Sequence, residues 1–134
     1  MKKPFLVGAV ICLFIIILVL VFGRTIKSFL WVPKLEISEK SWDFGEVKAG
    51  SEVKHTFIIK NIGSAELTVY AYSSCPACLL LDIENTSVPP KGVTKLNAKV
   101  IETEEGPFEG YVMLESNDRK QWVQKLSVKG TFAP

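Results

Sequence analysis

The sequence predicts an all-β protein, a seven-stranded β-sandwich preceded by one N-terminal transmembrane helix. Three observations support this fold class. An unbroken apolar run occupies the start of the chain, apolar and polar residues alternate beyond Pro33, and turn-forming residues separate the alternating segments. A chain of 134 residues is long enough for one such domain and short for two.

The apolar run extends from Pro4 to Phe22. It contains no charged residue, and 15 of its 19 residues are Leu, Ile, Val or Phe. A helix of this length measures roughly 28 Å, about the thickness of the hydrocarbon core of a bilayer. We therefore assign residues 1–33 to a cytoplasmic tail, a membrane anchor (about 4–22) and a juxtamembrane linker, and residues 34–134 to the β-sandwich.

A cleaved signal peptide is the alternative interpretation of this segment. A basic start before an apolar run fits both, but the run is longer than a usual signal core. Its end, Phe22-Gly23-Arg24-Thr25, also lacks a pattern of small residues for cleavage. A lipoprotein signal would require a small residue before Cys12, where the chain has Ile11. An uncleaved, single-pass anchor is the expectation.

The charges that flank the anchor bear on its orientation. Lys2, Lys3 and the amino terminus favour a cytoplasmic N-terminus, whereas the basic residues on the far side do not (Arg24, Lys27, Lys34 and Lys40). Because a tail with two lysines crosses a membrane unfavourably, we expect an extracytoplasmic C-terminal domain on the cell membrane. Phe29, Leu30 and Trp31 have the character of interfacial residues, and Pro33 should end any helix.

Beyond Pro33, short segments have the period of two that is typical of half-buried strands. These segments are Val53–Lys60, Leu67–Tyr72, Thr94–Val100, Tyr111–Glu115 and Gln124–Lys129. Leu79–Ile83 is a short apolar run that fits a further strand. Gly, Asn and Pro in the intervening segments favour tight turns. About seven such strands with regular turns predict a β-sandwich.

The charge of the predicted domain excludes one class of function. From Lys34 onward the chain has 12 Lys and Arg against 14 Asp and Glu, a net charge of −2. A mildly acidic domain without a basic stripe is not expected to bind nucleic acid.

Several sequence pieces, in order, resemble a known family. These are Trp42-Asp43-Phe44-Gly45-Glu46-Val47, then Asn61-Ile62-Gly63, and finally Leu126-Ser127-Val128-Lys129-Gly130. They resemble the Hydin-type (ASH) immunoglobulin-like domains, and especially a bacterial domain family of unknown function related to them. The resemblance covers about Leu35 to Phe132. It implies an immunoglobulin-like sandwich that serves as an interaction module, often membrane-tethered, with no established catalytic activity.

Cys75-Pro76-Ala77-Cys78 departs from that family pattern, in which one small residue separates two cysteines. The pair could form a disulfide outside the cytoplasm. A C-P-x-C motif also resembles a thioredoxin-type active site, but such a site needs a helix after the motif, and Leu79–Ile83 has strand character. Cys75 and Cys78 are therefore redox or disulfide candidates.

Metal binding is a third interpretation of the same cysteines. Two thiolates supply half of a tetrahedral site, and no second motif completes it. His55 is the only histidine, and it shares a face with Val53 and Phe57, which favours a core or rim position over a metal ligand. We expect no metal site and no cofactor; Cys75, Cys78 and His55 are weak candidates only.

Four residues on faces opposite the predicted core suggest a contact surface: Tyr70, Tyr72, Tyr111 and Met113. Scattered surface aromatics are the alternative. The sequence thus favours a membrane-tethered binding or assembly module without a catalytic site, whose partners are membrane lipid through the N-terminal helix and another protein. The alternatives are a membrane-bound thiol–disulfide redox protein and a carrier of zinc or copper through the cysteine pair.

Overall fold

The computed structural model describes residues 3–134, and the side chains of residues 3–6 and 25–30 lie outside the described part. The chain divides into two units after Val32. The first is a single helix and the second contains all of the strands. Predictions that concern Lys2, and the side chains of Lys3, Lys27, Phe29 and Leu30, lie outside the described residues.

Helix α1 extends from Lys3 to Leu30. Its central segment Val7–Arg24 has a mean hydropathy of 2.8, so α1 is long and apolar enough to cross a membrane. A membrane anchor and a signal peptide both fit such a helix. The helix continues past Phe22, where the sequence-based span ended, because hydropathy marks the apolar core of a helix and not its last turn. It ends at Leu30, before the helix-breaking Pro33.

The second unit is mostly β and has nine strands, so the prediction of seven was wrong. The strands are β1 (Leu35–Ile37), β2 (Ser41–Lys48), β3 (Glu52–Asn61), β4 (Leu67–Ser73), β5 (Leu79–Ile83), β6 (Ser87–Val88), β7 (Val93–Ile101), β8 (Gly106–Ser116) and β9 (Val123–Ala133). The shortest, β1 and β6, have three and two residues. Strands this short cannot establish an alternating pattern that sequence analysis detects.

The strands form two sheets. The four-stranded sheet has the order β1-β3-β7-β5, and the five-stranded sheet has the order β2-β9-β8-β4-β6. Neighbours in both sheets are antiparallel except β2 and β9, which are parallel. Alternate side chains from both sheets meet in one apolar core, centred on residues such as Phe57, Leu96, Val112 and Leu126, all fully buried. The predicted β-sandwich is thus present.

The sandwich has two ends that differ in the loops they carry. The entry end is where the chain joins the domain at Lys34, and it comprises the loops of residues 62–66 and 117–122 and the segment of residues 84–92 that contains β6. The disulfide end comprises the loops of residues 49–51, 74–78 and 102–105. Hydrogen bonds from Gly50 N to Glu102 O (2.7 Å) and from Ile101 N to Cys78 O (3.0 Å) connect the loops of the disulfide end.

Two buried polar side chains organise the entry end. Asn61 donates to the carbonyls of Ala65 (2.7 Å) and Val88 (2.9 Å) and accepts from Gly63 N (3.0 Å). Asp118 accepts from Leu35 N at 2.9 Å. Because buried polar groups are costly without partners, these bonds fix the loops at this end around the start of β1.

The motif Trp42-Asp43-Phe44-Gly45 forms a bulge in β2. Gly45 has a φ of +70°, and its amide donates to the Asp43 carboxylate at 2.9 Å. The pairing of β2 with β9 shifts at this point. The Phe44 ring lies directly over Gly130 of β9, where any Cβ atom would collide with it. The bulge, the aromatic ring and the glycine therefore form one packing unit.

Candidate functional site

The four predicted patch residues lie together on the outer face of the five-stranded sheet. Tyr72 of β4 is paired with Met113 of β8, and Tyr70 is paired with Glu115 on the same two strands. Tyr111 lies two residues from Met113 on β8, so it points to the same side. Tyr70, Tyr72 and Tyr111 are 51%, 53% and 39% exposed. We call these three tyrosines and Met113 the aromatic face.

The next strand adds polar groups beside the aromatic face. Lys125 of β9 is paired with Met113, and its ammonium group lies 4.4 Å from the centre of the Tyr111 ring. This distance is within the range of a cation–π interaction. A shallow groove of about 540 Å³ runs beside it, lined in part by Ser41, Tyr111, Lys125 and Ser127. The face therefore has an apolar centre with a charged and hydroxylated border.

The outer face of the four-stranded sheet has a different character. The Glu52 carboxylate lies 2.7 Å from the Lys54 ammonium group and 3.4 Å from that of Lys99. The hydrogen bond from Lys54 is the main reason why the pKa of Glu52 is lower than its usual value. Lys95 of β7 pairs with Glu84, which follows β5 directly. Two large apolar side chains are also exposed on this sheet, Leu80 of the edge strand β5 and Val93 at the start of β7.

Cys75 and Cys78 form a disulfide in the loop between β4 and β5. The loop crosses from one sheet to the other, and Leu79 N and Cys78 N both donate to the Cys75 carbonyl, at 2.8 and 3.1 Å. Cys78 packs against the core, whereas Pro76 and Ala77 are exposed. The bridge thus closes a tight turn at the disulfide end.

The chain enters β5 directly after Cys78, so no helix begins at the cysteine pair. A thioredoxin-type site lowers the pKa of its attacking thiol through the N-terminus of a helix. The turn here provides no such helix. In the described part of the chain, every buried side-chain polar atom has a hydrogen-bond partner.

His55 lies on β3, within an aromatic cluster. Its ring stacks on Trp42 (centroids 4.9 Å apart) and contacts the Phe57 ring edge-on, while Nε2 lies 2.5 Å from the Glu39 carboxylate. These contacts occupy one face and one nitrogen of the imidazole. Among the described residues, no three His, Cys, Asp or Glu side chains converge as a metal site.

Sequence reasoning missed two exposed features. Lys125 borders the aromatic face. Its alternation with Leu126 and Val128 along the sequence was the signal that could have placed it on the outer face of the sheet. Trp122 is 67% exposed in the loop between β8 and β9, where no alternating pattern indicates its environment.

A family model described as a protein of unknown function, DUF1573, matches residues 35–132. The chain belongs to the DUF1573 family. This match covers the whole sandwich except its first and last residues, and it agrees with the range of the sequence resemblance. None of the curated protein sequences matches the chain.

Solved structures confirm the fold of this DUF1573 chain. A protein of unknown function from Porphyromonas gingivalis W83 has 19% identity and a TM-score of 0.66, covering 77% of this chain and 48% of that one. The ASH/PapD-like domain 7 of human CEP192 has 15% identity and a TM-score of 0.61, with 75% and 85% covered. The DUF1573 chain thus spans about half of the Porphyromonas protein. The expected likeness to ASH domains is confirmed at the level of the fold.

A family 123 glycoside hydrolase from Clostridium perfringens has a similar domain, with 8% identity and a TM-score of 0.62. The match covers 76% of the DUF1573 chain and 27% of the hydrolase. At these identities the likeness concerns the fold alone, because one fold supports many functions.

Proposed function

We propose that this DUF1573 chain is a membrane-tethered module that binds another protein through its aromatic face. The contrast between the two outer faces of the sandwich carries the proposal. One face presents Tyr70, Tyr72 and Tyr111 to solvent, and the other presents ion pairs. Both faces belong to the same small domain, so general surface composition does not account for the difference.

The residue types of the aromatic face are those of protein interfaces. Tyrosine and methionine are enriched at the centres of such interfaces and lysine is depleted there. Tyrosine also contributes a large contact area for little loss of side-chain entropy, since only two torsions are fixed. Lys125 and Glu115 at the border fit the polar rim that surrounds an apolar centre.

A protein fits this face better than a small molecule does. Small-molecule sites are usually concave and bury most of their ligand. The aromatic face is a sheet surface, and the groove beside it is shallow. A partner with its own apolar, acidic-edged surface would cover the tyrosines and offer a carboxylate to Lys125.

The tether is α1. Its apolar segment is longer than a usual signal core, and the residues after Phe22 do not form a cleavage pattern. We accordingly place the domain outside the cytoplasm, with membrane lipid around α1. Extraction of membranes at alkaline pH, with the mass of the recovered chain, tests the tether. The full-length chain should stay with the lipid, and a chain that begins near Thr25 would refute it.

Photo-crosslinking tests the binding face. A benzoylphenylalanine replaces Tyr72 in the full chain, and a matched control places it at Thr56 on the outer face of the four-stranded sheet. Irradiation of native membranes should give one defined crosslinked protein from position 72 and none from position 56. Tyr70→Ser with Tyr111→Ser in the position-72 chain should abolish that product.

Two outcomes of this experiment would contradict the proposal. The first is the same crosslinked product from both positions, which would indicate random neighbours. The second is a product from position 72 that persists unchanged without Tyr70 and Tyr111.

We assign the Cys75–Cys78 bridge a structural role within the same module. The absence of a helix at Cys78 argues against the activated thiol of an exchange catalyst. The position of His55 argues against a zinc or copper carrier that combines it with the cysteines, because it lies on another strand within an aromatic cluster.

A further inference from the structure

We propose that the entry end of the sandwich docks on anionic phospholipid headgroups. This inference rests on the tether proposed above and goes beyond it, since it assigns a lipid contact to the β-domain itself. The entry end presents four exposed basic residues (Lys34, Lys91, Arg119 and Lys120) and the exposed Trp122.

The four basic residues differ from most other lysines of the sandwich. Lys54, Lys60, Lys95, Lys99 and Lys129 each lie within ion-pair distance of a carboxylate. Within the described part of the chain, the four basic groups of the entry end make no ion pair. Lys91 donates to the carbonyl of Ile62 at 3.1 Å. These exposed charges are therefore available to an external anion.

The acidic residues near the entry end offset these charges only in part. Asp118 is buried, and its carboxylate accepts from Leu35 N and Lys120 N, both at 2.9 Å. Glu84 is paired with Lys95. Glu66 is the remaining exposed acid in the loops of this end. The disulfide end, by contrast, carries Glu102, Glu104 and Glu105 in one loop. The domain is therefore positive at the end where the chain enters and negative at the opposite end.

The position of this end in the chain selects a membrane over other anionic partners. Three residues separate the end of α1 from Lys34, and three residues span at most about 10 Å. With α1 as the anchor, the headgroup layer lies within reach. Trp122 is the most exposed large apolar residue among the described residues of the sandwich. Tryptophan is enriched at membrane interfaces, and clustered Lys and Arg near a membrane bind anionic lipid.

The test uses the full chain in vesicles, with Cys12→Ser so that a single added cysteine carries an NBD fluorophore. Cys75 and Cys78 are bonded to each other and do not react. One chain carries the label in place of Trp122, and the control carries it in place of Thr103 at the disulfide end. Vesicles contain phosphatidylcholine alone or with one-quarter phosphatidylglycerol, plus a headgroup-level spin-labelled quencher lipid.

Docking predicts strong quenching at position 122 in the phosphatidylglycerol vesicles, less in phosphatidylcholine, and none at position 103. Arg119→Gln with Lys120→Gln should lower the ratio of docked to undocked domain roughly 30-fold, because each basic group near an anionic surface contributes roughly fivefold. Lys54→Gln with Lys99→Gln removes the same net charge from the four-stranded sheet, where both pair with Glu52, and should leave the quenching unchanged.

Flotation of the same vesicles separates this proposal from the tether. A chain that does not float with lipid refutes the anchor and, with it, the docking. A chain that floats but shows equal quenching at both labels, or no effect of the Arg119 and Lys120 changes, refutes the docking alone.

Discussion

Asn61 is the residue on which the entry end depends. Its side chain is fully buried and bonds to Gly63 and Ala65 of one loop and to Val88 of β6. An alanine cannot replace any of these bonds, and the freed backbone groups would be buried without partners. The motif Asn61-Ile62-Gly63 of the family resemblance therefore has a structural explanation.

We expect Asn61→Ala to lower the free energy of unfolding by about 3 kcal/mol, because unsatisfied buried groups cost about 1–3 kcal/mol each. Asn97→Ala is the matched control, since Asn97 bonds only to Thr56 on the exposed face. That control should lose less than about 1 kcal/mol. Urea unfolding of the full chain in detergent measures both, and equal losses would contradict this role.

The disulfide is expected to make a modest contribution to the free energy of unfolding. A loop of four residues gains about 2 kcal/mol on the chain-entropy model. Cys75→Ser with Cys78→Ser should thus cost about 2 kcal/mol and leave crosslinking from position 72 intact. Loss of crosslinking in a chain that still unfolds cooperatively would show that the thiols take part in function and would revive the exchange hypothesis.

The nine strands show how much of the secondary structure could be predicted from the sequence. Alternation located the long strands β3, β4, β7, β8 and β9, and the apolar run Leu79–Ile83 is β5. It did not locate β1 and β6, which are too short for a period. It also could not give the parallel pairing of β2 with β9 or the contact of Phe44 with Gly130, because both join residues that are distant in sequence.

The candidate site, too, could be predicted from the sequence only in part. Alternation placed Tyr70, Tyr72, Tyr111 and Met113 away from the core, and their adjacency across β4 and β8 required the register. The neighbourhood of Lys125 and Tyr111 needed the pairing of β8 with β9. The separation of the cysteine pair from the entry end was equally invisible in sequence, since it depends on the direction of every strand.

We predict that Gly130→Ala lowers the free energy of unfolding by about 1–3 kcal/mol, since overpacking a filled site has this typical cost. Phe44→Leu should be destabilising alone, because it removes ring contacts with Phe108 and Phe132. In combination, the smaller leucine side chain at position 44 should relieve part of the clash, so the two losses should not add. Additive losses in a double-mutant cycle would contradict the proposed packing unit.

The whole molecule combines three surfaces with separate roles. The entry end faces the lipid in our proposal, the aromatic face takes a protein partner, and the ion-paired face of the four-stranded sheet remains in solvent. These surfaces lie on different sides of one sandwich. Lipid docking at the end of the domain would therefore leave the aromatic face open and limit the orientations in which a partner approaches.

The most direct test of the central claim compares the two faces in place. Hydroxyl-radical footprinting of the full chain, in native membranes and after purification in detergent, reports the reactivity of Tyr72 and Met113 and that of Leu80 on the other sheet. If a partner is bound, Tyr72 and Met113 should be protected severalfold in native membranes. Leu80 should be equally reactive in the two preparations. Equal reactivity of Tyr72 and Met113 in the two preparations would contradict the claim that the aromatic face is an interface.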